Sequence, residues 1–475
     1  MVAGTMPTLE ASIQDEAFRV LQSRHALDRI VNQRPNYWMH SPAVLCSTAS
    51  VHNIAFGTGH QIYRQAILPA IEQAEHEVML VTCFWARSAT LDALNGSLGK
   101  LSAKAVESGR DRRVRICFSS SSVWQKLFQS PCLAGQIWRP DTWTKTLGLP
   151  SRSELPGLDV EIKSVFQLPF SVMHPKFVII DRKFVLLPSC NVSWEDWFEG
   201  CVSLSGDVVQ QFVGFWKEVW ASDGEAPMAP PDSESPPQLD DTVAPDCLLA
   251  SRQLSGAEDI PTVFLPHPHH RFAVPWLTSE NPPPTTPLNI YLLTLFRRAE
   301  HRISIQTPNL TAQVVLSELL AALERGIDVT ILTSEKLMRL EQIVTAGTTT
   351  ARCVRNLIRR HEALRNGTPA DDSEDVEAGL VPKRVGNLVV KYFWPRAGAE
   401  PHAAEPVQSH FKFTAVDGRI AVLGSGNLDR ASWFTSQELG LALTSEKVVR
   451  QIEDCLAVAM EGRSRVVYDS GASYT

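Results

Sequence analysis

SVMHPKFVIIDRKFVLLPSCNVSWEDWFEG occupies positions 171–200, and SHFKFTAVDGRIAVLGSGNLDRASWFTSQELG occupies 409–440. The two stretches share one plan. Each carries His-x-Lys-x-x-x-x-Asp: His174, Lys176 and Asp181 in the first, His410, Lys412 and Asp417 in the second. Each then reaches an asparagine at the same offset from its histidine, 191 − 174 = 17 and 427 − 410 = 17. Between them lie an apolar strand, a turn with a basic residue, and a second apolar strand. Positions i and i+2 of a strand share a face, so each histidine points the same way as its lysine. Asp181 and Asp417 fall in the turn after the strand. The returning antiparallel strand delivers Asn191 or Asn427 beside the His-Lys pair.

Outward from these clusters the chain reads as two similar halves. In the first, Gln61 to Ala74 has helical periodicity and 78–84 reads as a buried strand. A helix follows around Leu91 to Glu107, then a strand at 114–118. In the second, Asn289 to Ala299 is helical, 303–307 a strand, Ala312 to Arg325 a helix and 327–332 a strand. Alternating helices and strands predict α/β sheets covered by helices. We divide the chain into an extension at 1–45, a first domain at 46–221, a linker at 222–260 and a second domain at 261–475. The linker's core, from about Ser222 to Asp246, is rich in Pro, Ser and acids and holds no Lys or Arg, a composition that cannot bury a core. A shorter segment, 366–379, reads as a surface loop.

The 475 residues suit two domains, and 44% apolar content with 20% charge is that of a soluble globular protein. The net charge of −7 and pI near 6.0 argue against an enzyme that grips nucleic acid through a broad basic surface. Nine scattered cysteines form no CxxC or Cys/His metal spacing, which points to a reducing compartment and free thiols. Neither a signal peptide nor a run of ~20 apolar residues is legible. The expected location is the cytoplasm, with at most peripheral membrane contact. The run His267-Pro268-His269-His270 has no accompanying ligands and reads as a loop without a metal. No cofactor is expected.

Two imidazoles, two ammonium groups and two amides around one pocket suit phosphodiester chemistry. One imidazole attacks phosphorus and forms a phosphohistidine. The other protonates the leaving oxygen and then deprotonates the incoming water or alcohol. The lysines and amides surround the phosphoryl oxygens. A carboxylate on the far nitrogen fixes each imidazole's tautomer. Glu199, after the first cluster, and Glu438, after the second, are the candidates. Asp181 and Asp417 are retained with the catalytic set, although a carboxylate at that place commonly anchors a turn. Ser189, Ser425, Trp194 and Trp433 are expected at the substrate, with Trp197 and Phe434 packed nearby.

These motifs resemble the hallmark of the phospholipase D superfamily, and the resemblance covers both halves. Within it the chain is most similar to cardiolipin synthase-like phosphatidyltransferases. GSGNLDRASWFTSQELG resembles the family's Gly-Ser-x-Asn-Leu-Asp-x-Arg-Ser stretch, with Glu438 on the family's Glu, and Glu199 falls on a family Asp. The first cluster departs from the pattern with Pro-Ser-Cys-Asn, and Arg430 stands one place early. The paired N-terminal membrane helices of many such synthases are not seen. The resemblance implies two pseudo-symmetric α/β/α domains packed face to face with the active site at their interface. It also implies that His174 attacks and His410 is the acid/base. The implied substrate is a phospholipid, with water, an alcohol or another lipid as acceptor. A DNA or RNA phosphodiesterase of the same superfamily is the alternative, disfavoured by the acidic charge. A non-catalytic lipid-binding relic ranks last because both motifs are intact. The basic stretch from Thr345, with Arg352, Arg355, Arg359 and Arg360, is a candidate contact for phosphate or anionic lipid.

Overall fold

The computed structural model describes residues 9–23, 34–121, 135–167, 171–221, 248–268, 282–367, 384–396 and 405–471. The linker core at 222–246, residues 368–379 of the segment expected as a surface loop, and His269-His270 lie outside them.

Each half is built on a parallel trio of strands that leads into an antiparallel hairpin. In the first half these are β1 (Cys46–Thr58), β2 (Glu77–Phe84), β3 (Arg112–Ser120), β4 (Leu158–Ser164), β5 (Phe177–Ile180), β6 (Phe184–Pro188) and β7 (Trp197–Ser205). β8 (Ala250–Gln253) and β9 (Ile260–His267) follow. The second half adds β10 (Arg302–Thr307), β11 (Asp328–Thr333), β12 (Leu388–Phe393), β13 (Phe413–Val416), β14 (Ile420–Gly424), β15 (Glu438–Thr444) and β16 (Ser464–Asp469). The first sheet runs β8–β1–β7–β6–β5–β2–β3–β4, and the second β9–β15–β14–β13–β10–β11–β12–β16. Strand for strand, β1 matches β9, β7 matches β15, and the hairpin β5–β6 matches β13–β14.

The sheets are not independent. β1 gives residues 50–58 to the first sheet and residues 46–49 to β9 of the second. Ala250–Gln253, inside the segment read as a linker, is a strand on β1 rather than a free connection. The amino-terminal helix α1 (Leu9–Leu21) buries Ile13, Ala17 and Leu21. It packs on Pro287–Arg298 of the second half, where Glu16 meets Arg298 at 2.5 Å. Helix α2 (Ala89–Ser108) covers the first parallel trio, with Ser88 capping its start and Gly109 ending it at φ 63. Helix α3 (Val208–Val219) follows β7 into a core shared by both halves, where Phe212 and Phe215 lie 5.0 and 6.0 Å from Phe264 of β9. In the second half helix α5 (Gln313–Glu324) takes the place of α2 and Glu446–Met460 that of α3, while helix α4 (Pro287–Arg298) matches the helical run before β2. The helical expectations hold to within about two residues, and 61–74 is one helical run with a π-helical turn at Tyr63–Ile67.

The motif aspartates work at the far end of the sheet from the histidines. Asp181 (φ 51) and Asp417 (φ 54) sit in left-handed turns that close the two hairpins. Asp181 accepts from the backbone N–H groups of Glu75, His76 and Glu77 at 2.7–2.9 Å. Asp417 does the same for Glu300, His301 and Arg302 at 2.8–2.9 Å. These are the entries to β2 and β10. The histidines belong to the other end of those strands, roughly 15–20 Å away at about 3.3 Å per residue. Both aspartates are therefore turn anchors and are removed from the catalytic set. Among the described residues no helix is long and apolar enough to cross a membrane.

Asp417→Ala should lower folding stability by about 1–3 kcal/mol, the cost of orphaning three N–H donors near the surface. Denaturant unfolding measures that loss. Turnover per folded molecule should stay within about tenfold of wild type, which an aspartate acting in chemistry would not permit.

Candidate active site

His174 follows the short strand Ser171–Val172, which pairs with Phe166–Gln167 of its own half, and the residue between that strand and His174 reaches the other half. Met173 bridges Gln437, and His174 N–H donates to the Gln437 carbonyl at 3.0 Å. The second motif mirrors this. Gln408 and Ser409 pair with Trp197 and Phe198 of β7, and His410 N–H donates to the Phe198 carbonyl at 2.9 Å. Gln437 and Phe198 are the residues just before Glu438 and Glu199. Each histidine is thus sewn to the strand that carries the other half's carboxylate.

The side chains complete the crossing. His174 Nδ1 lies 2.8 Å from Glu438 Oε2, and His410 Nδ1 lies 2.9 Å from Glu199 Oε1. The imidazole rings meet edge-on with centroids 6.3 Å apart. The two carboxylates named from the sequence do hold the imidazoles, but each holds the one from the opposite half. Each is fixed in turn by a serine. Ser189 Oγ bonds Glu199 Oε2 and accepts from Gly200 N–H. Ser425 Oγ bonds Glu438 Oε2 at 2.5 Å and accepts from Leu439 N–H. Both serines are buried and fully engaged, so they orient carboxylates instead of touching substrate. Gly200 admits no side chain, because a Cβ there would stand 2.6 Å from the ring of Phe411, beside His410.

The lysines are not equivalent. Lys176 Nζ donates to the His174 carbonyl at 2.8 Å, whereas Lys412 Nζ lies 2.9 Å from His410 Nε2. His174 keeps its Nε2 clear of Lys176 and is the more open ring, 14% exposed against 5% for His410. Burial lowers the pKa of His174, against the pull of Glu438. Burial, Lys412 and Lys176 hold His410 well below its usual range. Burial also pushes Glu199 up to about 7, over the opposing Lys412, and brings Lys412 down to about 7. A site crowded with buried groups titrating near neutrality is suited to moving protons at physiological pH.

The two asparagines have different supports. Asn191 Oδ1 accepts from Phe84 N–H at 3.1 Å and Cys83 N–H at 3.3 Å at the end of β2, so its Nδ2 is the group it can offer a ligand. Asn427 Nδ2 donates to Asp429 Oδ2 at 3.0 Å, and its buried Oδ1 has no partner among the described residues. Asp429 escaped the sequence reading, as did Ser432, which bonds Glu438 Oε1 at 2.7 Å. Asp429 caps the short helix Arg430–Phe434 by accepting from Ser432 N–H, an Asp-x-x-Ser spacing that could have been noticed. The tryptophans also sort differently from expectation. Trp433 is only 2% exposed and packs in the core, away from any ligand. Trp194 is 61% exposed against Phe84, and Trp197 packs on His410 with centroids 4.9 Å apart. His267, from the histidine run, is a buried strand residue bonded to Thr286.

Glu199 carries a pH prediction. Its folded pKa lies above its unfolded one, so its stabilising contribution is full below about pH 4.5 and is lost as pH rises through about 7. Lys412 runs the other way, full above about 10.5 and lost as pH falls through about 7. Site-derived stability should therefore be lowest near neutrality. Denaturant midpoints should fall in wild type between pH 4.5 and 7 and should lack that fall in Glu199→Gln; parallel curves would refute the assignment.

Residues 292–457 match the family model described as cardiolipin synthase, PLD-like domain. No curated protein sequence matches the chain. Among solved structures, phosphatidylserine synthase of Haemophilus influenzae Rd KW20 superposes with a TM-score of 0.53 at 16% identity, over 87% of each chain. Nuc, a phospholipase D family member from Salmonella typhimurium, gives 0.25 at 16% identity over 38% of this chain and 90% of its own. Polyphosphate kinase from Porphyromonas gingivalis gives 0.45 at 10% identity over 93% of this chain and 54% of its own. The fold comparison rests on the first of these. Residues 292–457 thus match a cardiolipin synthase, PLD-like domain, and the chain as a whole shares the fold of that phosphatidylserine synthase.

Proposed function

We propose that the protein is a phosphatidyltransferase or phospholipase that cleaves a phospholipid head group through a phosphohistidine. The observation that carries this reading is the paired-imidazole centre, each ring oriented by a buried carboxylate from the opposite half. In the first step the lone pair of His174 Nε2 attacks phosphorus, and the bond from phosphorus to the head-group oxygen breaks. The leaving oxygen takes the proton held between Lys412 Nζ and His410 Nε2. In the second step an acceptor hydroxyl attacks phosphorus, the N–P bond breaks, and the acceptor's proton returns to the Lys412–His410 pair. Glu438 keeps the His174 proton on Nδ1 and stabilises the cation that forms on attack. Lys176, Lys412 and Asn191 supply the positive field and the N–H donors for the phosphoryl oxygens. Water as acceptor gives a phospholipase, and an alcohol or lipid hydroxyl gives a transferase.

His174 is the nucleophile in this scheme because its Nε2 is clear of its lysine, while His410 Nε2 is bonded to Lys412. The lipid substrate is supported by the family matched at 292–457 and by the synthase that shares the fold. None of the proposed steps uses a metal.

The test is a reaction of pure protein with labelled phosphatidylglycerol or phosphatidylcholine and a primary alcohol in excess EDTA. A phosphatidyl-alcohol product is expected. Cleavage of oligonucleotides alone would defeat the lipid substrate, and dependence on a restored divalent ion would defeat the two-histidine scheme. His174→Ala should reduce turnover by at least a thousandfold. His410→Ala should slow the second step and leave a covalent adduct on residue 174 that mass spectrometry of peptides detects. An adduct on His410 in the His174→Ala protein instead would reverse the roles.

A further inference from the structure

Helix α6 (Arg339–Ala346) is held to the body by very little. Its one buried side chain is Gln342. Leu340 is 81% exposed, Ile343 47% and Val344 44%, and Met338 just before the helix is 41% exposed. No other stretch of similar length among the described residues exposes four large apolar side chains. The helix α7 (Thr350–Arg365) begins four residues after it, with Arg352, Arg355, Arg359 and Arg360 exposed. Between positions 336 and 365 the chain carries seven Lys or Arg and two acids, against −7 for the whole protein. Exposed apolar side chains beside a basic face are what an anionic bilayer surface accepts. The apolar groups enter the head-group boundary and the arginines meet the lipid phosphates.

Gln342 also ties this helix to the catalytic centre. Its Nε2 donates to Asn309 Oδ1 at 2.7 Å, and its Oε1 accepts from Thr350 N–H at 2.6 Å. Asn309 Nδ2 reaches Asp429 Oδ2 at 3.4 Å, and the same carboxylate oxygen accepts from Asn427 Nδ2 at 3.0 Å. All these links are buried or nearly so, where each orphaned partner is costly and a shift at one end is felt at the other. Arg430, beside Asp429, also donates to the Thr345 carbonyl of the helix at 3.3 Å.

We propose that Met338–Ala346, with the arginines of α7, is the surface that docks this protein on an anionic lipid bilayer, and that Gln342 couples docking to the position of Asn427. The inference rests on the phospholipid reading above for the meaning of the docking, while the surface itself is read from exposure and charge. Gln342 is a positioning residue and touches no substrate.

Co-sedimentation of the full chain with phosphatidylcholine vesicles, with and without phosphatidylglycerol, tests the surface. Wild type should bind the phosphatidylglycerol vesicles, more weakly as salt rises. Leu340→Glu with Ile343→Glu should bind at least tenfold more weakly and turn over a monomeric short-chain phospholipid at the wild-type rate. Equal vesicle binding by wild type and this variant, or none by wild type, overturns the docking face. If wild type docks through this face but no phospholipid is turned over in any form, the docking surface stands and the phospholipid reading falls. Gln342→Leu should bind vesicles like wild type. Its kcat on the monomeric substrate should fall at least tenfold with KM unchanged, and an unaltered kcat overturns the coupling.

Discussion

The crossed pairing of each imidazole with the other half's carboxylate is the constraint on which the rest of this molecule depends. A buried neutral imidazole and a buried carboxylate are each costly alone, and together they are tolerable only at hydrogen-bond distance. His174 with Glu438 and His410 with Glu199 meet that condition at 2.8 and 2.9 Å. Each imidazole takes its carboxylate from the other half, so closure of the seam and assembly of the site go together. The backbone enforces it: the residue before each glutamate accepts a hydrogen bond from the opposite histidine's N–H. The shared strand β1 and the common core around Phe212, Phe215 and Phe264 then hold the two sheets at that separation.

Within this symmetric frame the chemistry is not symmetric. Lys412 engages the reactive nitrogen of His410, while Lys176 turns to a backbone carbonyl. Asn191 is locked by the end of β2, whereas Asn427 leans on Asp429 and, through Asn309, on the exposed helix α6. Two motifs of one pattern thus give one ring whose Nε2 is clear of its lysine and one whose Nε2 is bonded to it, the difference on which the proposed scheme rests.

The burial that makes the site possible also explains its titration. Glu199 is moved up and Lys412 down toward neutrality by the same loss of water. Stability is given up near pH 7 where proton transfer is wanted, a common trade at catalytic sites.

By itself the sequence determined the two-half α/β plan, both His-Lys pairs, both asparagines and the two glutamates. Those features are local: strand period, hairpin turns and a repeated offset are written in neighbouring residues. It misassigned Asp181 and Asp417, because a carboxylate in a motif looks the same whether it serves the pocket or caps a strand end 15–20 Å away. It placed Ser189, Ser425 and Trp433 at the substrate, although their burial against Glu199, Glu438 and the core leaves them no access. Only the tertiary structure decided which carboxylate serves which histidine, which lysine is bonded to a ring nitrogen, and that Gln342 reaches toward Asn427. Each of these joins residues that only folding brings together, so nothing in the local pattern of either partner could specify the match.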